Sequence, residues 1–158
     1  MGVTGFTEVL TSTIPAPKLF KASVIDGYKL SPKLMPQAIA SASIVEGDGG
    51  AGSIKLINFT PAMPFPFLKE RIDIMDKEKM ECKMTLIEGA HIGTKLEWGT
   101  IHIKVESTDD GGSVYKATCE FKSLGDTDYT AEEIQVARSR IIGMFKAVEA
   151  YVLANPDA

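Results

Sequence analysis

The feature of this sequence that most strongly suggests a chemical role is a glycine-rich segment, Gly47-Asp48-Gly49-Gly50-Ala51-Gly52. Backbone N–H groups in such segments can cradle a phosphate anion. A nucleotide-binding loop of this kind ends in Gly-Lys-Ser/Thr and opens a helix, whereas here Ser53-Ile54-Lys55 follows and begins a strand pattern. We therefore predict a rigid hairpin turn in which Gly47, Gly49, Gly50 and Gly52 provide positive φ angles.

Metal-ligating and nucleophilic side chains are sparse. The two histidines, His91 in a predicted turn and His102 at an outward strand position, are too few for a metal site, and we expect both at the surface. Cys82 and Cys119 form no CxxC pair. Because the chain does not start with a basic segment and an apolar run, we predict reduced thiols. No cofactor is expected.

Length and composition narrow the function classes. The 158 residues suit one domain spanning residues 1–158, and the chain has 44% hydrophobic residues and a net charge of −4. An acidic protein is repelled by a phosphate backbone, so the net charge argues against nucleic acid as a partner. No stretch reaches the ~20 apolar residues of a membrane span. We expect a cytoplasmic monomer, with nuclear access by diffusion left open.

The elements that must position these residues are mostly strands. Apolar and polar residues alternate in several segments, as in Cys82, Met84 and Leu86 against Lys83 and Thr85, which predicts an antiparallel sheet with one dry face. The predicted strands are Val3–Thr13, Ile39–Glu46, Ser53–Phe59, Leu68–Met75, Met80–Glu88, Lys95–Glu106 and Ser113–Lys122. Two short helices are predicted at Ala16–Asp26 and Tyr28–Leu34, and Pro36 follows the second.

The last quarter of the chain predicts one long helix. Thr130 is a natural N-cap, and Glu132 and Glu133 lie in the first turn, where the helix dipole favours negative charge. Asn155-Pro156 ends the helix near Ala154. The apolar stripe, spaced by three and four residues, comprises Ile134, Ala137, Ile141, Phe145, Val148 and Val152. This helix is long enough to cover the dry face of the sheet.

An ordered set of short motifs over nearly the whole chain resembles the plant pathogenesis-related class 10 family, the family of the major birch pollen allergen (Bet v I). The glycine-rich segment and the strand after it belong to this set. The other motifs are Ile14-Pro15-Ala16, Leu19-Phe20-Lys21-Ala22, Pro36-Gln37-Ala38-Ile39, Pro64-Phe65, Lys69-Glu70-Arg71-Ile72-Asp73, Ile87-Glu88-Gly89, Ile92-Gly93, Gly111-Gly112-Ser113, Gly125-Asp126 and Ala147-Val148-Glu149-Ala150-Tyr151.

The resemblance implies an α+β helix-grip fold, in which a seven-stranded curved antiparallel sheet surrounds the long C-terminal helix, with two short helices and an internal cavity. It implies a defence-related plant protein that binds small amphiphilic metabolites such as cytokinins, flavonoids or sterols. The expected cavity residues are Ile39, Phe59, Phe65, Phe67, Cys82, Met84, Leu86, Ile101, Tyr115, Ala117, Ile141 and Phe145, with Arg140 as a polar anchor. Without the resemblance, the same pattern is more typical of a solid core.

The resemblance also implies enzymatic alternatives, of which ribonuclease leads. Glu97, Glu149 and Tyr151 match the residues proposed in the family for general acid–base cleavage of RNA. Two positions apart on a helix, Glu149 and Tyr151 do not share a face. Norcoclaurine synthases use a cavity tyrosine and lysine, and those places carry Glu97 and Leu124 here. The gate and latch loops of abscisic-acid receptors are absent, so we expect binding without obligatory catalysis.

Overall fold

Seven antiparallel strands form one sheet in the computed structural model, which describes residues 2–126 and 128–157. Their order in the sheet is β1-β7-β6-β5-β4-β3-β2. The strands are β1 (Val3–Ser12), β2 (Ile39–Glu46), β3 (Ile54–Phe59), β4 (Phe67–Asp76), β5 (Glu81–Gly89), β6 (Leu96–Ser107) and β7 (Ser113–Ser123). Each predicted strand is confirmed, with ends that agree within one residue.

The helices also follow the sequence pattern, with one difference. Helix α1 (Ala16–Phe20) continues into a π-helical turn (Lys21–Ile25), so the predicted helix Ala16–Asp26 has the expected extent but a wider second half. Helix α2 spans Gly27–Leu34, and helix α3 spans Ala131–Ala154. Within the described ranges, none of these helices is long and apolar enough to cross a membrane.

Helix α3 begins with a complete capping box, as its sequence predicts. The Thr130 side chain accepts a hydrogen bond from the Glu133 backbone N–H at 3.1 Å, and Glu133 Oε1 accepts one from the Thr130 N–H at 3.1 Å. These two bonds satisfy donors that a helix start otherwise leaves unpaired. The start of α3 is therefore fixed locally, without burial of apolar side chains.

The hydrophobic core lies under the C-terminal half of α3. The buried residues of this helix are Phe145, Val148 and Val152, and all lie in its second half. They pack with Leu19 and Phe20 of α1 and with the strand residues Cys82, Ile103, Val105 and Ala117 in one buried cluster. In the first half of α3, even the apolar Val136 is 44% exposed. The helix thus packs tightly on the sheet at one end only.

The glycine-rich segment is a closed turn between β2 and β3, as predicted. Its amides bind inside the turn or to β4: Gly49 N–H donates to Ser53 Oγ at 2.9 Å, and Gly52 N–H donates to the Ile72 carbonyl at 2.7 Å. Gly47, Gly49 and Gly52 have φ angles of +85°, +99° and +89°, whereas the positive φ angle predicted for Gly50 is wrong. The Gly49 and Gly52 amides are already paired, one within the turn and one with β4, so they do not form a phosphate cradle.

Two glycine substitutions in this turn separate backbone strain from crowding. A Cβ at Gly47 would lie 2.3 Å from Ser53 Oγ and 2.9 Å from Ser53 Cα, whereas a Cβ at Gly49 would meet no atom within 4 Å. We expect Gly49→Ala to lower the free energy of unfolding by about 1 to 2 kcal/mol through strain alone. Gly47→Ala should cost at least about 1 kcal/mol more. Urea unfolding measures both, and equal losses would contradict the turn geometry.

Candidate functional site

Between α3 and the sheet lie three adjoining cavities, which together form the candidate site. The largest, the outer chamber, has a volume of about 510 Å³ and lies between α3, mainly its first half, the start of the edge strand β2 and the end of its neighbour β3. Its wall is almost entirely apolar side-chain and backbone surface. The outer chamber is lined by Met35, Ala38, Ile39, Phe59, Met63, Glu132, Gln135, Val136, Ser139, Arg140, Gly143 and Met144.

The other two cavities lie nearer the loops and deeper in the sheet. The loop chamber, about 360 Å³, is lined by Pro64, Phe65, Leu68, Leu86, Ala90, His91, Leu96, Phe121, Tyr129, Glu132, Glu133, Val136, Ala137 and Arg140. The inner chamber, about 300 Å³, is lined by Ser23, Gly27, Tyr28, Ser31, Ile39, Lys55, Ile57, Leu68, Glu70, Met84, Ile101, Ile103, Tyr115, Arg140, Ile141, Met144 and Val148.

Arg140 contributes to the wall of all three chambers. Its guanidinium carbon lies 5.6 Å from the centre of the Phe65 ring, in cation–π range. The residue as a whole is exposed, so its charge is in contact with water at the junction. Arg140 therefore places a hydrated cation where the three cavities meet.

The inner chamber holds an ion pair that the sequence analysis did not identify. Lys55 Nζ lies 3.4 Å from a Glu70 carboxylate oxygen, and each side chain is only 16% exposed. The same ammonium donates to Met84 Sδ, also at 3.4 Å. The inward position of Lys55 could have been predicted from the sequence. Side chains alternate along a strand, so Lys55, four positions before the inward Phe59, lies on the same face of β3.

A belt of aromatic rings surrounds the loop chamber. The His91 ring packs edge-on against Phe65 at 5.3 Å and against Tyr129 at 5.8 Å between centroids. Phe65 in turn contacts Phe59, and Tyr129 contacts Phe121. His91 is therefore not the surface residue that the sequence suggested. It joins the β3–β4, β5–β6 and β7–α3 loops.

Burial in this belt alters the titration of His91. Desolvation lowers the pKa of His91 below its ordinary value, the nearby Lys95 ammonium lowers it further, Glu133 opposes this, and Arg140 adds a smaller lowering effect. Burial also raises the pKa of Tyr129 to about 12. The belt is therefore neutral at pH 7.

Most of the predicted cavity residues line one of the chambers. Ile39, Phe59, Phe65, Met84, Leu86, Ile101, Tyr115, Arg140 and Ile141 all do so. The prediction for Phe67 has the wrong parity: Ile57 lies opposite Leu68 in the β3–β4 register, so Leu68 faces the cavity and Phe67, opposite Asn58, does not.

Three other predicted cavity residues belong to the closed core instead. Cys82 and Ala117 are 0% exposed, Phe145 is 5% exposed, and none lines a described chamber. Phe145 packs on Tyr115 at 5.3 Å between ring centroids, which closes one side of the inner chamber. Burial raises the pKa of Cys82 to about 11 and of Cys119 to about 12, so both free thiols stay protonated.

The three residues of the ribonuclease hypothesis are not brought together in a cavity. Glu97 is exposed near the start of β6. Lys95, two residues before it, pairs with Glu133 in the first turn of α3. Glu149 and Tyr151 lie in the last two turns of α3, and Lys33 Nζ lies 4.9 Å from the Tyr151 ring centre. None of the three lines a described chamber, and Leu124 is 40% exposed.

Comparison with known proteins agrees with this architecture. The family model of the Pathogenesis-related protein Bet v 1 family matches residues 1–155. The major pollen allergen Aln g 1 of Alnus glutinosa is 41% identical over 158 residues, which is 100% of this chain and 99% of the relative.

Solved structures show the same fold. That of Ara h 8.0201 has a TM-score of 0.87 at 38% identity and covers 98% of this chain and 100% of its own. Norcoclaurine synthase from Thalictrum flavum, solved with dopamine and hydroxybenzaldehyde, has a TM-score of 0.76 at 23% identity over 98% of this chain and 88% of its own. At that identity the second likeness concerns the fold alone. With its full-length match in sequence and in architecture, this chain belongs to the Bet v 1 family of pathogenesis-related proteins.

Proposed function

We propose that this protein binds a small amphiphilic molecule in the chambers beneath α3. The observation that carries the proposal is the set of three adjoining cavities, of about 510, 360 and 300 Å³, which meet at Arg140. Protein interiors are normally filled to crystal density. Cavities of this size with apolar walls and few polar groups are typical of ligand sites.

The driving force for binding is burial of apolar surface. Each Å² of apolar surface removed from water contributes about 25 cal/mol, and half of the residues that line the outer chamber are methionine, isoleucine, valine or phenylalanine. Methionine thioethers adapt to different shapes. The walls therefore favour an apolar body of hormone size, and the few polar groups orient it.

The family description supports a role for this binding in plant defence. Pathogenesis-related is the term attached to the family that matches the chain. Cytokinins, flavonoids and sterols combine an apolar body with polar groups, and we propose ligands of this chemistry inside the plant cell. Ribonuclease chemistry has less support, because its three candidate residues lie apart from the chambers.

Filling the outer chamber should block binding without harming the fold. Gly143 lines that chamber, and a Cβ there would meet no atom within 4 Å. We expect Gly143→Phe to weaken binding of the neutral probe N-phenylnaphthylamine at least about tenfold, about 1.4 kcal/mol. Gly143→Ala is the matched control, because it removes the same helix glycine but adds little volume.

Fluorescence titration measures both affinities, and thermal unfolding checks the fold. Replacement of a helix glycine by alanine adds about 1 kcal/mol of stability, so the control variant should unfold at a higher temperature. Tight probe binding to Gly143→Phe would show that the outer chamber is not the site. Absence of probe binding to the wild-type protein would contradict the proposed function itself.

The charge of Arg140 should select the polar end of the ligand. Anilinonaphthalene sulfonate is N-phenylnaphthylamine with an added sulfonate, so the ratio of their affinities isolates the contribution of the anion. We expect Arg140→Met to reduce this ratio about fivefold, the equivalent of about 1 kcal/mol for a solvent-exposed charge pair. Arg140→Lys should keep most of it. An unchanged ratio in Arg140→Met would exclude Arg140 as the polar anchor.

We propose that a ligand enters past the aromatic belt, where protonation of His91 would disturb the packing. The pKa of His91 is lower in the folded protein than in the unfolded chain, so the contribution of the neutral ring to the free energy of unfolding is fully present above the ordinary histidine pKa. This contribution is lost as the pH falls from the ordinary histidine pKa toward the lower pKa of the folded protein. A protonated His91 would face Lys95 and Arg140, with Glu133 as the only nearby counter-charge named among the described residues.

Release of a bound probe should therefore be faster at pH 5.5 than at pH 7, values on either side of the unperturbed histidine pKa of about 6.5. Stopped-flow dilution of the N-phenylnaphthylamine complex measures the rate. His91→Phe keeps an aromatic ring in the belt and should remove most of the pH dependence. His102→Gln is the control, since His102 pairs with Glu81 at 2.6 Å and lines no described chamber. If both variants keep the wild-type pH dependence, His91 does not control access.

A further inference from the structure

The polar pair of the inner chamber is built into the sheet. Lys55 of β3 and Glu70 of β4 lie directly opposite each other in the antiparallel register. Both side chains line the inner chamber. Strand positions hold side chains more firmly than loops do, so this pair is a fixed feature of the chamber wall.

The two ions leave much of their hydrogen-bonding capacity unused. An ammonium group has three N–H donors, and a carboxylate has about four acceptor sites. Their separation of 3.4 Å is long for a charge-assisted hydrogen bond. The ammonium also contacts the Met84 thioether, a weak acceptor. The pair therefore offers both a donor and an acceptor to the chamber.

A third polar group faces the same chamber from α2. Ser31 is 6% exposed, and its hydroxyl has no hydrogen-bond partner within the described part of the chain. A buried unpaired hydroxyl loses its hydration without compensation, so such groups usually have a hydrogen-bond partner. Ser31 lines the inner chamber together with the Lys55–Glu70 pair. This buried, unpaired hydroxyl is an independent indication that a polar ligand group binds there.

The charges of the pair determine which ligand group fits. Charges at hydrogen-bonding range in a largely buried site interact strongly. A ligand carboxylate would be attracted by Lys55 and repelled to a similar extent by Glu70, and it would also lose its hydration. A ligand ammonium meets the reverse problem. A neutral hydroxyl can accept from Lys55 and donate to Glu70, and it loses far less hydration on burial.

We infer that the Lys55–Glu70 pair makes the inner chamber selective for an uncharged hydroxyl group, an alcohol or phenol, on an apolar ring system. This inference rests on the proposed function, since it specifies the ligand class for part of the same site. The hydroxyl lies between the two ions, near Ser31, and the ring system contacts Met84 and Ile101. Anionic groups are directed instead to the exposed cation of Arg140.

A matched set of three small probes tests the selectivity. Naphthalene, naphthol and naphthoate share one ring system and differ in a hydroxyl or a carboxylate. We expect the wild-type protein to bind naphthol at least about fivefold more tightly than either of the others. With methyl-labelled methionine, the Met84 signal reports on the inner chamber and the Met63 signal on the outer one. Naphthol should shift the Met84 signal.

Two variants identify the source of the preference. Glu70→Gln keeps the size of the side chain and removes its repulsion of a ligand carboxylate. The affinity for naphthoate should therefore rise at least about fivefold relative to the affinity for naphthol. Lys55→Met combined with Glu70→Leu removes both charges, and naphthol should lose its advantage over naphthalene. Replacing a buried ion pair by apolar residues is often neutral or stabilising, so the double variant should fold. Thermal unfolding checks this.

The outcomes separate this inference from the proposed function. If N-phenylnaphthylamine binds but naphthol and naphthoate bind the wild-type protein equally, the hydroxyl selectivity is wrong and ligand binding stands. The inference is also overturned if naphthol shifts Met63 and leaves Met84 unmoved, or if the double variant keeps the naphthol preference. If no probe binds at all, the proposed function itself fails.

Discussion

The site depends on one constraint: α3 is packed against the sheet at its C-terminal end and held away from it at its N-terminal end. Phe145, Val148 and Val152 bury their side chains at the packed end. At the other end, ion pairs hold the helix: Glu133 pairs with Lys95, just before β6, and Arg138 pairs with Glu8 of β1. Polar contacts fix the position of a helix end without filling the space beneath it.

A hollow of this kind lowers stability, because atoms lining a void lose their dispersion contacts. The closed core at the opposite end, with buried α1 residues Leu19 and Phe20 beneath α3, offsets this loss. The chamber walls contain four methionines, Met35, Met63, Met84 and Met144. Their flexible side chains can fit ligands of several shapes, whereas Lys55 and Glu70 are held by adjacent strands. Shape tolerance and polar selectivity thus come from different parts of the wall.

The sequence predicted the strands and helices because their signals are local: alternation in the sheet, and a cap followed by a stripe in α3. It could not separate cavity from core. Cys82 and Met84 lie on the same face of one strand, yet Cys82 belongs to the closed core and Met84 lines the inner chamber. The difference arises from how far α3 stands off the sheet at each point. The pairing register of β3 with β4 likewise determines that Leu68 and not Phe67 faces the cavity. Neither the helix–sheet distance nor the strand register is encoded in a local sequence pattern.

The glycine-rich turn, which first suggested phosphate chemistry, has a place in this arrangement through the strand that follows it. Gly52 N–H donates to the Ile72 carbonyl, and Ile72 N–H donates to the Ser53 carbonyl at 2.8 Å. These bonds tie the end of the turn to β4. The tie lies next to the first rungs of the β3–β4 ladder, where Ile54 faces Arg71 and Lys55 faces Glu70. A slip of one residue would turn Lys55 to the outer face of the sheet. The turn therefore contributes to ligand recognition by fixing the register that places both charges in the inner chamber.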